Sequence, residues 1–188
     1  MKTNIALIGF MGTGKTAVGK ILAEKLGKEF IELDTLIEKK AGKSIPAIFR
    51  DEGEIGFREL EIEVTREVAG RKNAIIACGG GIVLNKINID RLGKECVVVC
   101  LTASPAVILK RTSTDKDGRP LLAGADRAQQ IMELLKFRRP YYARAADFTI
   151  NTSRLKPESV DRRIMVDITP EIREDLRNPY HQSIRGEK

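Results

Sequence analysis

Tryptophan is absent from this chain of 188 residues, aromatic residues of any kind make up 5%, and the one histidine is His181, near the C-terminus. So few aromatics leave little with which to stack nucleobases, and no RNA- or DNA-binding motif is found, so a nucleic-acid partner is not expected. A single histidine argues against a Ser-His-Asp triad and against histidine-based zinc sites, and it directs the search for a general base to the carboxylates. Cys78, Cys96 and Cys100 show no CxxC spacing. They read as reduced, mostly buried thiols of a cytosolic protein. No apolar run approaches the roughly 20 residues that span a membrane, so no membrane partner is expected either. The opening Met1-Lys2-Thr3-Asn4 leads only into the short run Ile5 to Ile8. A signal peptide needs a longer one, so export is not expected and a cytoplasmic protein is.

What is present is ordinary for a globular domain: 42% hydrophobic and 31% charged residues. The formal net charge of +7 and a pI near 9.4 suit the binding of small polyanions such as ATP once nucleic acid is set aside. The length fits one domain with a core of its own.

Short apolar runs alternate with amphipathic ones. Ile5–Ile8, Phe30–Leu33, Ala74–Ala77, Cys96–Leu101 and Phe148–Ile150 read as strands. Between them, helical spacing marks Thr16–Leu26, stopped by Gly27, and Thr35–Ala41, stopped by Gly42. Ser44 is placed to cap a helix with Pro46 in its first turn, and a longer helix is expected over Glu54–Ala69. Ser104 and Asp126 are placed to cap helices from Pro105 to about Arg111 and on to about Tyr142, and Pro157 opens a last one. Thr112 to Gly124 is polar and punctuated by Gly and Pro, hence a loop, and a polar tail follows Thr169. Such alternation predicts an α/β fold with a parallel sheet between helical layers and functional loops at the carboxyl ends of the strands.

Gly9-Phe10-Met11-Gly12-Thr13-Gly14-Lys15-Thr16 matches GxxxxGK followed by Ser or Thr, directly after a strand and before a helix. The glycines let the backbone N–H groups converge on phosphate oxygens, and the helix start adds a positive dipole end. Lys15 can reach the β- and γ-phosphates, and the Thr16 hydroxyl can ligate Mg2+. A GTPase switch is the alternative from another class. It fails on order and chemistry, because Asn85-Lys86-Ile87-Asn88 lacks the final Asp of NKxD and the DxxG stretch, Asp115 to Gly118, comes after it.

Other residues carry chemistry of their own. Asp34 lies just beyond a strand end, where a carboxylate either caps the next helix or orients and deprotonates an acceptor hydroxyl; the residues alone leave both open. Arg58 and Arg138 are suited to bidentate carboxylate binding, although surface solvation is the usual role of a single Arg. Gly79-Gly80-Gly81 is either a plain tight turn or a place where a ligand meets exposed backbone N–H groups.

Glu32-Leu33-Asp34, Phe57-Arg58, Gly79-Gly80-Gly81, Arg119-Pro120-Leu121-Leu122 and Arg138-x-Pro140-x-Tyr142 follow the phosphate motif in order. Together they resemble shikimate kinase, from about Ile5 to Val166. The resemblance implies a P-loop fold of the nucleoside-monophosphate-kinase type, with a five-stranded parallel sheet in a single domain over 1–168, a lid at about 112–124 and a tail over 169–188. It implies transfer of phosphate from ATP to the 3-hydroxyl of shikimate by a cytoplasmic monomer, with Mg2+ as cofactor. It assigns catalysis to Lys15, Asp34 and Arg119. Nucleotide binding falls to Gly12, Thr13, Gly14, Lys15, Thr16, Ala17, Arg111 and Arg119, with Arg111 stacking on adenine and the Asn151–Pro157 region, including Arg154, as the adenine loop. Shikimate binding falls to Asp34, Arg58, Gly79, Gly80, Gly81 and Arg138, while Arg139 and Arg144 stay surface residues. Mg2+ falls to Thr16 and, through water, to Glu32. Many members have Asp at that position, and the extra methylene of Glu32 must shift the water shell or fold back. A gluconate kinase or a nucleoside monophosphate kinase on the same fold is the near alternative, against which the paired arginines, Asp34 and the triple glycine argue.

Overall fold

The computed structural model describes residues 2–113 and 126–167. Five parallel strands, β1 (Asn4–Ile8), β2 (Glu29–Glu32), β3 (Ala74–Ala77), β4 (Cys96–Thr102) and β5 (Phe148–Asn151), form one sheet in the order β2-β3-β1-β4-β5. The helices are α1 (Lys15–Leu26), α2 (Leu33–Ala41), α3 (Ile45–Ala69), α4 (Lys86–Glu95), α5 (Pro105–Thr112), α6 (Arg127–Ala145) and α7 (Pro157–Asp167).

Alternation along the central strands sorts the core into two layers. Ile5 and Leu7 of β1, Ile75 of β3 and Val97, Val99 and Leu101 of β4 face Val18 and Leu22 of α1 and Val160 and Ile164 of α7. Their neighbours Ala6, Ile8, Ile76, Val98 and Cys100 face the other layer, which takes Ile37, Ile48, Val64, Leu92, Ile108 and Ile131 from α2 to α6. The strand order departs in both directions from β1, so the loops after β1, β2 and β3 open into a common crevice at the sheet's carboxyl edge.

The parallel five-stranded sheet agrees with the expectation, and three details differ. The second strand ends at Glu32 and α2 begins at Leu33, not Thr35. Leu33 turns fully inward, the extended Glu32 becomes the N-cap position, and Asp34 falls within the first turn, so Asp34 is not a cap. The two helices expected around residue 50 run on as α3, broken where Gly53 takes φ 70°. Helix α4 was not expected at all. Its apolar face is narrow, with Leu92 fully buried and Ile87 exposed, and its clearest sequence mark is Asn85, whose side chain caps it by accepting from Ile87 N at 3.0 Å. Arg119 and the expected lid from 114 onward lie outside the described residues, as does the tail. Among the described residues no helix is long and apolar enough to cross a membrane.

Candidate active site

The loop from Gly9 to Gly14 turns back on itself through positive φ at Gly9 (140°), Gly12 (73°) and Gly14 (97°). At the starts of α4, α5 and α6 the side chains of Asn85, Ser104 and Asp126 accept hydrogen bonds from the backbone N–H groups of Ile87, Val107 and Gln129. Helix α1 begins at Gly14 with no side-chain cap and no acidic residue in its first turn. Helices α2 and α3 also start without a side-chain cap, so it is the positive-φ glycine loop before α1, together with the open helix start, that suits an external anion. Lys15 Nζ reaches back across the loop to the carbonyls of Gly9 (2.9 Å) and Phe10 (3.1 Å). Thr13 is buried and ties the loop internally, its hydroxyl donating to Phe10 O at 2.7 Å.

A cleft of about 590 Å³ opens beside this loop. Gly12, Gly14, Lys15, Thr16 and Ala17 line one side, with Asp34, Arg58, Arg138 and the Gly79–Gly81 turn across from them. Gly79 is small by necessity, since a Cβ there would lie 2.9 Å from Asp34 Oδ1 and 3.2 Å from Glu61 Oε1. Arg58 Nη1 donates to Glu61 Oε2 at 2.9 Å, and its Nη2 donates to Glu54 Oε1 at 2.9 Å. Glu61 is wholly buried, and burial pushes its carboxyl above the usual carboxylate range while the Arg58 guanidinium pulls the other way.

Arg138 is only 3% exposed. Its Nη1 donates to Gly80 O at 3.2 Å and its guanidinium lies 5.7 Å from the centre of the Phe10 ring. Among the described residues it makes no ion pair, and its buried Nε has no hydrogen-bond partner. A cation in that condition calls for an anion from outside. Arg139 and Arg144 are exposed.

Arg111 does not line this cleft. Its Nη1 donates to Gly12 O and to Thr152 Oγ1, both at 3.1 Å, and its Nη2 donates to Thr152 O at 2.9 Å. Thr152 is buried, with its hydroxyl also 3.0 Å from Thr13 O and 3.1 Å from Thr102 O. The guanidinium and this hydroxyl therefore brace the back of the phosphate loop against the ends of β4 and β5.

Thr16 Oγ1 donates to Glu32 Oε1. Two hard oxygen donors thus sit together at the mouth of the phosphate loop, and they fit Mg2+. Among the described residues no group of three acidic, His or Cys side chains makes a self-sufficient metal site, so an ion held here would need ligands from outside the protein. The three cysteines are free and buried, and burial raises their thiols, Cys100 to about 11 and Cys96 to about 12, which leaves no thiolate nucleophile near neutral pH.

Sequence reasoning did not reach Glu61, Tyr142 or Thr152 as site residues. Glu61 had a signal, for it interrupts the apolar stripe of Phe57, Val64 and Val68 with a charge. Tyr142 closes the Arg138-x-Pro140-x-Tyr142 motif and Thr152 lies in the Asn151–Pro157 region, but nothing local shows that the Tyr142 hydroxyl donates to Gly80 O at 2.5 Å, across 62 positions, or that Thr152 reaches the phosphate loop.

A family model described as shikimate kinase matches residues 11–169. The chain is 46% identical over 162 residues to a shikimate kinase of Thermodesulfovibrio yellowstonii, covering 86% of this chain and 92% of that protein. It is 41% identical over 186 residues to one of Symbiobacterium thermophilum, covering 98% and 99%. Among solved structures, the shikimate kinase from Acinetobacter baumannii in complex with shikimate superposes with a TM-score of 0.84 at 41% identity, covering 88% of this chain and 92% of that one. The Aquifex aeolicus enzyme gives 0.72 at 32%, covering 87% and 94%.

Proposed function

Because this chain belongs to the shikimate kinase family and transfers phosphate from ATP to shikimate, giving shikimate 3-phosphate and ADP in aromatic amino-acid biosynthesis, we propose a division of labour among the residues of its cleft. The observation that carries it is the meeting, in one cleft, of an uncapped phosphate loop with a glycine turn flanked by two buried or half-buried arginines.

The phosphates of ATP lie in the N–H nest of the loop, which Gly12, Thr13, Gly14, Thr16 and Ala17 contribute to or continue. Lys15 exchanges its carbonyl partners for β- and γ-phosphate oxygens and offsets the charge that moves onto the leaving group. Arg58 and Arg138 bind the carboxylate of shikimate. Glu54 and Glu61 hold the Arg58 fork in place, and the absence of an ion-pair partner for Arg138 among the described residues supports its part in the pair. The Gly79–Gly81 turn lets the ring approach the backbone. Asp34, facing Gly79 in the first turn of α2, accepts a hydrogen bond from the 3-hydroxyl and aims it at the γ-phosphorus. As the hydroxyl oxygen bonds to that phosphorus and the bond to the ADP oxygen breaks, the hydroxyl proton passes to Asp34.

Thr16 and, through water, Glu32 hold Mg2+, whose chemistry when bound is to neutralise charge on the β- and γ-phosphates. Arg119 closes over ATP from the lid, excludes water and stabilises the transferring phosphoryl group, a role that rests on the family resemblance alone. Arg111, fixed by its bonds to Gly12 and Thr152, and Arg154 serve the adenine side. We read the protein as one domain over 1–168 and as a cytoplasmic monomer; its three reduced, buried thiols support the compartment.

A coupled ADP-release assay with ATP and Mg2+ tests the substrate. Turnover is expected with shikimate and not with gluconate, AMP or CMP. ADP release that ignores shikimate would overturn the assignment.

A further inference from the structure

Tyr142 lies one helical turn beyond Arg138 on α6, so the two side chains stack on the same face. Both reach one atom, the carbonyl oxygen of Gly80, with Tyr142 OH at 2.5 Å and Arg138 Nη1 at 3.2 Å. The Tyr142 ring is 6% exposed and packs within the core layer between the sheet and α6. A carbonyl oxygen has two lone pairs, so both donors are accommodated, and the phenol makes the shorter bond.

The peptide that follows Gly80 is trans, as are all those described. In a trans peptide the C=O of one residue and the N–H of the next point in opposite directions. Drawing the Gly80 carbonyl toward α6 therefore turns the Gly81 N–H away from it. Without that hold, a turn of consecutive glycines has wide backbone freedom. The same carbonyl accepts a hydrogen bond from Arg138, whose guanidinium also bonds the Tyr142 phenol itself. With the phenol holding Gly80 O, the guanidinium keeps a fixed point to lean on while its remaining N–H groups stay available to an anion.

We propose that Tyr142 is a positioning residue for the acceptor: its hydroxyl latches the Gly80 carbonyl and so sets both the glycine turn and the Arg138 guanidinium for shikimate. The latch packs against the phosphate loop at Gly9, Phe10 and Met11 but makes no hydrogen bond to it, and that loop is braced separately by Arg111 and Thr152. This rests on the shikimate assignment of the cleft. Failure of the wild-type enzyme to phosphorylate shikimate would defeat that assignment, whereas the experiment below addresses Tyr142 in an enzyme that does.

Tyr142→Phe removes one oxygen atom and keeps the ring that packs the core. The KM for shikimate, and its Kd by titration calorimetry, should rise about 3- to 10-fold, the worth of one well-placed hydrogen bond. The KM for ATP should stay within about twofold, because the variant removes no hydrogen bond to the phosphate loop. Shikimate constants unchanged within about twofold would overturn the inference. So would equal weakening of ATP and shikimate, or a lower melting temperature with both constants unchanged, since either result would make Tyr142 a packing residue only.

Discussion

The guanidinium of Arg58 lies so close to Gly81 that a Cβ on the glycine would fall 2.5 Å from Nη1 and 2.7 Å from Cζ. Gly81 itself has φ −101°, a conformation open to any residue. Gly81→Ala therefore strains no backbone and acts through the arginine it displaces. The KM for shikimate should rise about 10-fold or more, the scale of a disturbed charged hydrogen bond, with the KM for ATP unchanged. Steady-state kinetics in both substrates checks this, and an unaffected shikimate constant would remove Arg58 from the acceptor pocket.

Asp34→Asn keeps the shape of the side chain and loses the base. Turnover should fall about 100- to 10,000-fold, the usual contribution of a positioned proton acceptor. ATP should bind as before, measured by calorimetry. Activity near that of the wild type would show that Asp34 neither orients nor deprotonates the hydroxyl.

Thr152→Val removes a buried hydroxyl that meets Thr13 O, Thr102 O and Arg111. The loss should cost about 1–3 kcal/mol of stability, read from urea unfolding, and raise the KM for ATP several-fold as the phosphate loop loosens. The KM for shikimate should stay put. A change confined to shikimate would contradict the bracing role.

Lys28 sits at the far end of the sheet from the cleft, with Nζ donating to Thr3 O at 2.9 Å, and burial lowers its ammonium from 10.5 to about 8. The folded chain gives up this proton near pH 8 and the unfolded chain near 10.5. Burying the charge thus penalises folding below pH 8, and the penalty fades as the pH rises toward 10.5. Relative to Lys28→Met, the wild type should gain stability across that window, with no change in kinetics at neutral pH. A flat difference between the two unfolding curves would contradict it.

The order of strands and helices was legible because burial on both sides makes β1, β3 and β4 unbroken apolar runs and because Gly27 and Gly42 close the helices where expected. The phosphate loop was legible because its chemistry is local: eight consecutive residues carry it. Asp34, Arg58, Gly80 and Arg138 could be singled out by residue type, but only the resemblance chose between their functional and structural readings, since their meeting point is made by the sheet and not by spacing. Helix α4 escaped because Gly93 and a narrow apolar face blur its period, and its capping Asn85 was read for a different motif. Tyr142 stood in a motif and Thr152 in the region read as the adenine loop, but their individual contacts escaped because hydrogen bonds spanning 62 and 139 positions leave no trace along the chain.

The break at Gly53 divides α3 into two rods. The first carries Ile45, Pro46 and Phe49 along the cleft wall, and the second carries Phe57, Arg58 and Glu61. They meet again where the rings of Phe49 and Phe57 lie 4.8 Å apart. Because helical register is not carried through the glycine, the second rod takes its orientation from its own packing, and the first bears on it chiefly through that pair of rings. The stretch of cleft wall before the glycine and the arginine after it are thus set by two separate helical frames, tied to each other through one aromatic contact.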